Sequence, residues 1–226
     1  MKLVYPFINA HFDMGESSIP ILVIENPKHF YKYLSEISEQ INGLEGRFTL
    51  SEKDKILSLN KYAELIEKFI GFEINRKSLL SKLYNKLGEH AVSEDFYVRT
   101  KQINSEIITY LSALLIDFNS ELEFDDEIEI SGLFKYFGIK FLEDYTDLSE
   151  KLLNYMLFIR EFDVDKCFIF VNLKSYLSTN DLEVFYKSVI DHKINILLFE
   201  SINREALKVE KVTVIDDDLC EISLGN

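Results

Sequence analysis

Two apolar runs, Lys166–Asn172 (KCFIFVN) and Ile194–Glu200 (INILLFE), constrain this chain more than any other feature. Neither run alternates polar with apolar residues, so each reads as a strand buried on both faces. Strands of that kind belong to parallel sheets covered by helices on either side. Between them Ser178-Thr179-Asn180-Asp181 marks a helix start, with a helical pattern running to about Lys193. Strand, helix and strand in that order imply parallel pairing through a right-handed crossover.

The same grammar recurs near the amino terminus. Pro20–Glu25 (PILVIE) reads as a strand, and Asn26-Pro27 caps a helix whose apolar face is Phe30, Leu34, Ile37 and Ile41. Tyr62–Phe72 reads as a further strand. A helix from Asn75 follows, lined by Leu79, Leu80, Leu83, Tyr84 and Leu87 and ended by Gly88. At the other end VTVID and CEISL read as edge strands joined by the turn Asp216-Asp217-Asp218.

From about Glu89 the texture becomes helical. Ile103, Ile107, Leu111, Leu114 and Phe118 keep one face through a segment of about 25 residues, roughly 38 Å if continuous. Ile130–Phe137 reads as a short helix closed by Gly138, and Leu148, Leu152, Tyr155 and Ile159 mark another beginning near Asp147. The expected architecture is α/β: a mostly parallel sheet forms a head from residues 1–88 and 162–226, and an α-helical leg, residues 89–161, is inserted into it. A chain of 226 residues with 47% apolar content can bury such a core.

Composition narrows the function classes. With 25 basic and 39 acidic residues the net charge is −14, which disfavours indiscriminate binding to nucleic acid or anionic membrane. No apolar run approaches the roughly 20 residues that span a bilayer, and MKLVYPFINA lacks the pattern of a secretory leader, so a cytoplasmic location is expected. Neither phosphate-cradling glycine loop occurs, Gly43-Leu44-Glu45-Gly46 reading as a plain turn. The histidines at 11, 29, 90 and 192 and the lone Cys167 and Cys220 have no metal-ligand spacing. Both cysteines, in strand-like contexts, are expected to behave as small hydrophobes.

The one-sided feature is DFNSELEFDDEIE, Asp117–Glu129, with seven carboxylates and no base. Like charges this dense raise the free energy of the fold unless something neutralises or solvates them. Three readings follow, of which a general acid–base pair of carboxylates lacks any histidine, lysine or cleft to support it. A hard cation such as calcium takes six to eight oxygens in flexible geometry, which a closely spaced acidic loop can supply. Alternatively the run is a solvated hinge. It is not an EF-hand, lacking the glycine and the terminal glutamate of that loop.

Lys166–Glu200, Pro20–Asn26 with its helix, Ile70–Tyr84 (IGFEINRKSLLSKLY) and Glu121–Lys140 (ELEFDDEIEISGLFKYFGIK) together resemble one family in order and pattern. It is the type II-A CRISPR-associated accessory protein of spacer acquisition, the Csn-two family, in its shorter branch. The resemblance implies a homotetrameric ring with a head like a nucleotide-binding ATPase core, a helical leg held by calcium, and a hole that admits double-stranded DNA from a free end. It implies no nuclease or ATPase activity. It places the calcium ligands on Glu121, Glu123, Asp125, Asp126 and Glu127, and two lysines of the DNA path on Lys135 and Lys140. It also implies other CRISPR adaptation proteins as partners, namely the integrase complex and the RNA-guided nuclease.

An acidic chain that grips a polyanion needs a local reversal of field. Bound calcium and a ring that gathers the same few lysines on one wall would both supply it, and a grip on phosphates is sequence-independent and salt-sensitive. Two other classes stand beside this one. An NTP-dependent enzyme could use Asn172 and Glu200 at the carboxyl ends of central strands, where ligands bind in such sheets. A calcium-ordered scaffold could bind proteins alone.

Overall fold

Beginning at Lys2, alternating apolar residues make two short strands, β1 (Lys2–Tyr5) and β2 (Ile8–Asp13), before the wholly buried β3 (Ile19–Ile24). The computed structural model describes residues 1–15, 17–118, 120–125, 127–162 and 164–224. After β3 come α1 (Pro27–Ile41), β4 (Thr49–Glu52), β5 (Lys55–Leu57), α2 (Leu59–Tyr62) and β6 (Ala63–Ile66). Then follow α3 (Lys77–Ala91), α4 (Tyr97–Leu115) and α5 (Ile130–Tyr136). The chain closes with α6 (Leu148–Phe162), β7 (Cys167–Val171), α7 (Thr179–Asp191), β8 (Asn195–Glu200), β9 (Glu210–Ile215) and β10 (Glu221–Leu224).

These elements form two compact units, Met1–Phe72 with Asp144–Asn226 and Glu73–Glu143. In the first, a six-stranded sheet has the order β10-β9-β3-β8-β7-β6, parallel throughout except for the β9–β10 pair. The expected α/β class and its mostly parallel sheet are therefore present. β9 is not the edge strand expected: it lies between β10 and β3, parallel to β3, and buries Val212, Val214 and Ile215.

The period of two divides each buried strand between two faces. Cys167, Ile169, Leu197 and Phe199 face a core shared with Leu22, Ile24, α1 and a second, antiparallel sheet of order β2-β1-β4-β5. Phe168 and Phe170 face the opposite side, where they meet Tyr155 of α6 and Phe185 of α7. The antiparallel sheet was not anticipated. Its strands are three to six residues long, and only Leu3, Tyr5, Ile8, Phe12 and Leu50 along them are buried.

Local signals explain the helix boundaries. The Asn26 side chain accepts the Lys28 and His29 amides to start α1, and Ser178 with Asp181 forms a reciprocal capping box on α7. The units differ from the expected boundaries by two helices. The α6 helix belongs to the first unit because Leu152, Tyr155, Met156 and Ile159 are buried there, with Tyr155 donating to Glu64 of β6. The α3 helix belongs to the second unit with α4 and α5, where Tyr84 meets Phe134. It also runs through Gly88 to Ala91 instead of ending there, and β6 is only four residues of the expected Tyr62–Phe72 strand. Cys167 is buried as expected, its thiol pushed up to about 12 by desolvation, whereas Cys220 is exposed in the turn before β10.

Candidate functional site

In the second unit, α4 ends at Leu115 and α5 starts at Ile130, so the acidic run fills the connection between two helices. Glu121, Glu123 and Asp125 are exposed and outside any helix or strand, and Asp126 lies outside the described residues. Glu127 is exposed and paired to Lys101 of α4 at 2.9 Å, which holds the Glu127 carboxyl below its ordinary range through the hydrogen bond and charge of that lysine. The Ile128 amide donates to Asn104 Oδ1 at 2.8 Å, so the run is tied to α4 at its carboxyl end. Among the described residues no three His, Cys, Asp or Glu side chains gather where they could hold a metal ion. The described carboxylates of the run face solvent.

Downstream of the run, α5 closes with Gly138 at φ +62, Ile139 N–H donating to Phe134 C=O at 3.0 Å and Gly138 N–H to Lys135 C=O at 3.1 Å. That is a Schellman closure, which needs the left-handed residue glycine supplies at no steric cost. Lys135 and Lys140 are both exposed around this turn. Phe141 behind it is buried and held by Asn75, which donates to the Phe141 carbonyl and accepts its amide, each at 2.9 Å.

The first unit contains a cluster of a different character at the carboxyl ends of β7, β8 and the start of β9. Asn172 adopts a left-handed conformation, φ 57, that asparagine tolerates. Its amide donates to Phe199 C=O and its Oδ1 accepts the amide and hydroxyl of Ser201. Lys174 and Glu210, both buried, pair at 2.8 Å. Glu210 also accepts the Tyr186 hydroxyl at 2.9 Å and the Leu207 amide at 2.8 Å. Arg204 donates to the Lys174 carbonyl at 2.7 Å and the Ser175 hydroxyl at 3.0 Å.

Glu200, 1% exposed, accepts the Lys174 amide at 3.1 Å. Burial pushes its carboxyl up to about 7, against the opposing pull of the Lys174 amide and the Lys174 and Arg204 charges. The Tyr186 hydroxyl is likewise held well above its usual range by burial and by Glu210.

The structure thus brings Asn172 and Glu200 to neighbouring strand ends, as the two apolar runs implied. It surrounds them with Lys174, Tyr186, Arg204 and Glu210, whose roles the sequence did not disclose. The donors and acceptors named here are engaged with one another, so the cluster fastens the turn after β7 to the β8–β9 connection. At the carboxyl end of β3, where sheets of this kind take phosphate, Asn26 occupies the first-turn amides of α1 and Pro27 has none.

The family model of the CRISPR-associated protein Cas_Csn2 matches residues 40–219. Among solved structures, the fold is similar to the crystal structure of Stu0660 of Streptococcus thermophilus. The TM-score is 0.57 at 16% sequence identity, over 96% of this chain and 75% of that one. No curated protein matches the chain.

Proposed function

The chain belongs to the CRISPR-associated Cas_Csn2 family, and from that premise we propose that it is a non-catalytic accessory factor of CRISPR adaptation that binds the ends of double-stranded DNA. The observation that carries this reading is the reach of the family match, residues 40–219, which runs through the whole second unit and into both segments of the first. The reading includes a homotetrameric ring acting in the cytoplasm, a head akin to a nucleotide-binding ATPase core, and integrase and RNA-guided nuclease partners.

The local chemistry supports a binding role over a catalytic one. The α1 start is capped by its own Asn26, and the buried Lys174 and Glu210 are paired with each other. Lys135 and Lys140 are exposed and offer cations to phosphates. Calcium is proposed at Glu121, Glu123, Asp125, Asp126 and Glu127 on the chemistry of the donors. An exposed connection can be drawn around a cation that takes six to eight oxygens, and Glu127 would then exchange Lys101 for the ion. No helix among the described residues is long and apolar enough to cross a membrane.

The test is a gel shift of linear and covalently closed circular duplex of one sequence, each with calcium and with chelator. Retardation of the linear form alone, lost on chelation and weakened steeply by salt, is the expected result. Equal retardation of both forms would replace the closed ring with an open groove. Absence of any shift would overturn DNA binding and favour a protein-binding scaffold.

A further inference from the structure

We propose that the solvent-facing side of α3 is a contact for the phosphates along the flank of the duplex, with Lys77 and Lys86 as its cations and Lys135 and Lys140 beside it. The inference rests on the DNA-binding reading above and names the surface of the second unit against which the duplex lies. Such a contact runs along the side of the duplex, as a ring around it requires, and not across its end.

Charge is segregated within the second unit. Residues 74–88 hold Arg76, Lys77, Lys82 and Lys86, and residues 130–142 hold Lys135 and Lys140, with no carboxylate in either interval. Residues 89–129 hold eleven carboxylates against Arg99 and Lys101. The fold packs the two acid-free intervals on each other. Tyr84 of α3 meets Phe134 of α5 at a ring-centroid distance of 6.4 Å and donates to the Ile139 carbonyl at 2.9 Å. Asn75, just before α3, holds both backbone groups of Phe141. Six bases are thereby gathered on neighbouring segments of a chain of net charge −14, which is the local reversal of field that an acidic protein needs to hold a polyanion.

The surface of α3 selects a phosphate ligand. By the 3.6-residue period Leu79, Leu80, Leu83, Tyr84 and Leu87 take one side of the helix, with Leu79 buried. The other side has Ser78, Ser81 and Asn85 along its midline, Lys77 on one flank and Lys86 on the other, all exposed. It carries no large apolar side chain, whereas the core of a protein–protein contact is apolar and aromatic. Small polar groups on the midline let the helix come close to a sugar–phosphate surface, and the ammonium groups beside them hold phosphates without reading sequence. Lys77 and Lys86 lie about 13 Å apart along the helix axis, or about four base-pair steps, so one duplex can meet both.

The experiment follows binding of blunt linear duplex by fluorescence anisotropy, in calcium, between about 50 and 200 mM salt. It compares the full chain with Lys77→Gln/Lys86→Gln, with Lys77→Arg/Lys86→Arg, and with Lys32→Gln/Lys187→Gln, which removes the same charge from exposed sites of the first unit. Circular dichroism checks that every variant keeps its helices, which the exposure of these side chains predicts. Each phosphate contact contributes about 0.9 to the slope of log affinity against log salt. The α3 glutamine pair should therefore lower that slope by at least about 1.8 and weaken binding about 60-fold near 0.1 M salt. The arginine pair should bind as the native protein does, and the first-unit pair should keep the native slope. A native slope and affinity in the α3 glutamine pair would overturn the contact and leave DNA-end binding standing. An equal loss in the first-unit pair would also overturn it, reducing the effect to net charge. So would an α3 glutamine pair that binds duplex normally but loses mass in solution by light scattering, which would assign the face to the acidic run of a second copy. Failure of the native protein to bind duplex at all would remove both readings.

Discussion

Replacing Glu200 by glutamine isolates the electrostatic cost of one buried carboxylate. Burial raises its pKa from an ordinary 4.5 to about 7, so the folded chain holds a proton that the unfolded chain releases. The protonated form favours folding below about pH 4.5, and that contribution is lost as pH rises to 7 and absent above it. Between about pH 5.5 and pH 8 the native protein should lose about 2 kcal/mol through this group, integrating the difference at about 1.4 kcal/mol per pH unit. Glutamine keeps an acceptor for the Lys174 amide and cannot ionise, so Glu200→Gln loses none of it. The groups facing the position, Lys174, Arg204 and Glu210, are common to both proteins and cancel in the comparison. Urea unfolding followed by far-ultraviolet circular dichroism suits a chain without tryptophan, and this pH range stays clear of the isoelectric point near 4.8. The stability gap between variant and native protein should widen in the variant's favour by about 2 kcal/mol across it. A gap constant within about 0.5 kcal/mol, the usual scatter of such comparisons, would refute the argument that burial dominates.

Other substitutions test neighbouring links. Lys174→Met leaves the Glu210 carboxylate buried beside a thioether, and urea unfolding should show a loss of about 3–5 kcal/mol that Lys174→Met/Glu210→Gln partly restores. Ser178→Ala removes half of the α7 capping box and should cost about 1 kcal/mol by the same assay. If the acidic connection takes calcium, the ion alone should raise the native melting temperature. It should leave Glu121→Gln/Glu123→Gln/Asp125→Asn/Glu127→Gln unchanged, and an equal rise in both would exclude these ligands.

What the sequence made legible was local. KCFIFVN and INILLFE announce buried parallel strands because every side chain in them needs an apolar neighbour, and Ser178 and Asn26 announce helix starts because the amides they satisfy are within three residues. Distant pairing left no such mark. Leu3, Tyr5, Ile8 and Phe12 show the period of two, yet the strands are too short for that rhythm to stand out. The apolar face of α6 was plain, but periodicity says that a helix packs and not on what, and α6 falls in the first compact unit and not with α4 and α5. Lys174 and Glu210 are 36 residues apart, and only the crossover through α7 and β8 makes them partners. The acidic run was conspicuous as composition. Whether its oxygens converge depends on backbone geometry that charge spacing does not encode.

Strand β3, six residues long and buried at every one, takes both its neighbours from β8 and β9 near the end of the chain. A ribosome releasing the polypeptide in order therefore exposes an apolar ribbon with two open hydrogen-bonding edges while nearly all of the remainder is still being made. Such a ribbon pairs readily with any other extended segment. The nascent protein should thus be far stickier than the finished one, and its yield in cells should respond to chaperone supply and translation speed more than its equilibrium stability would suggest.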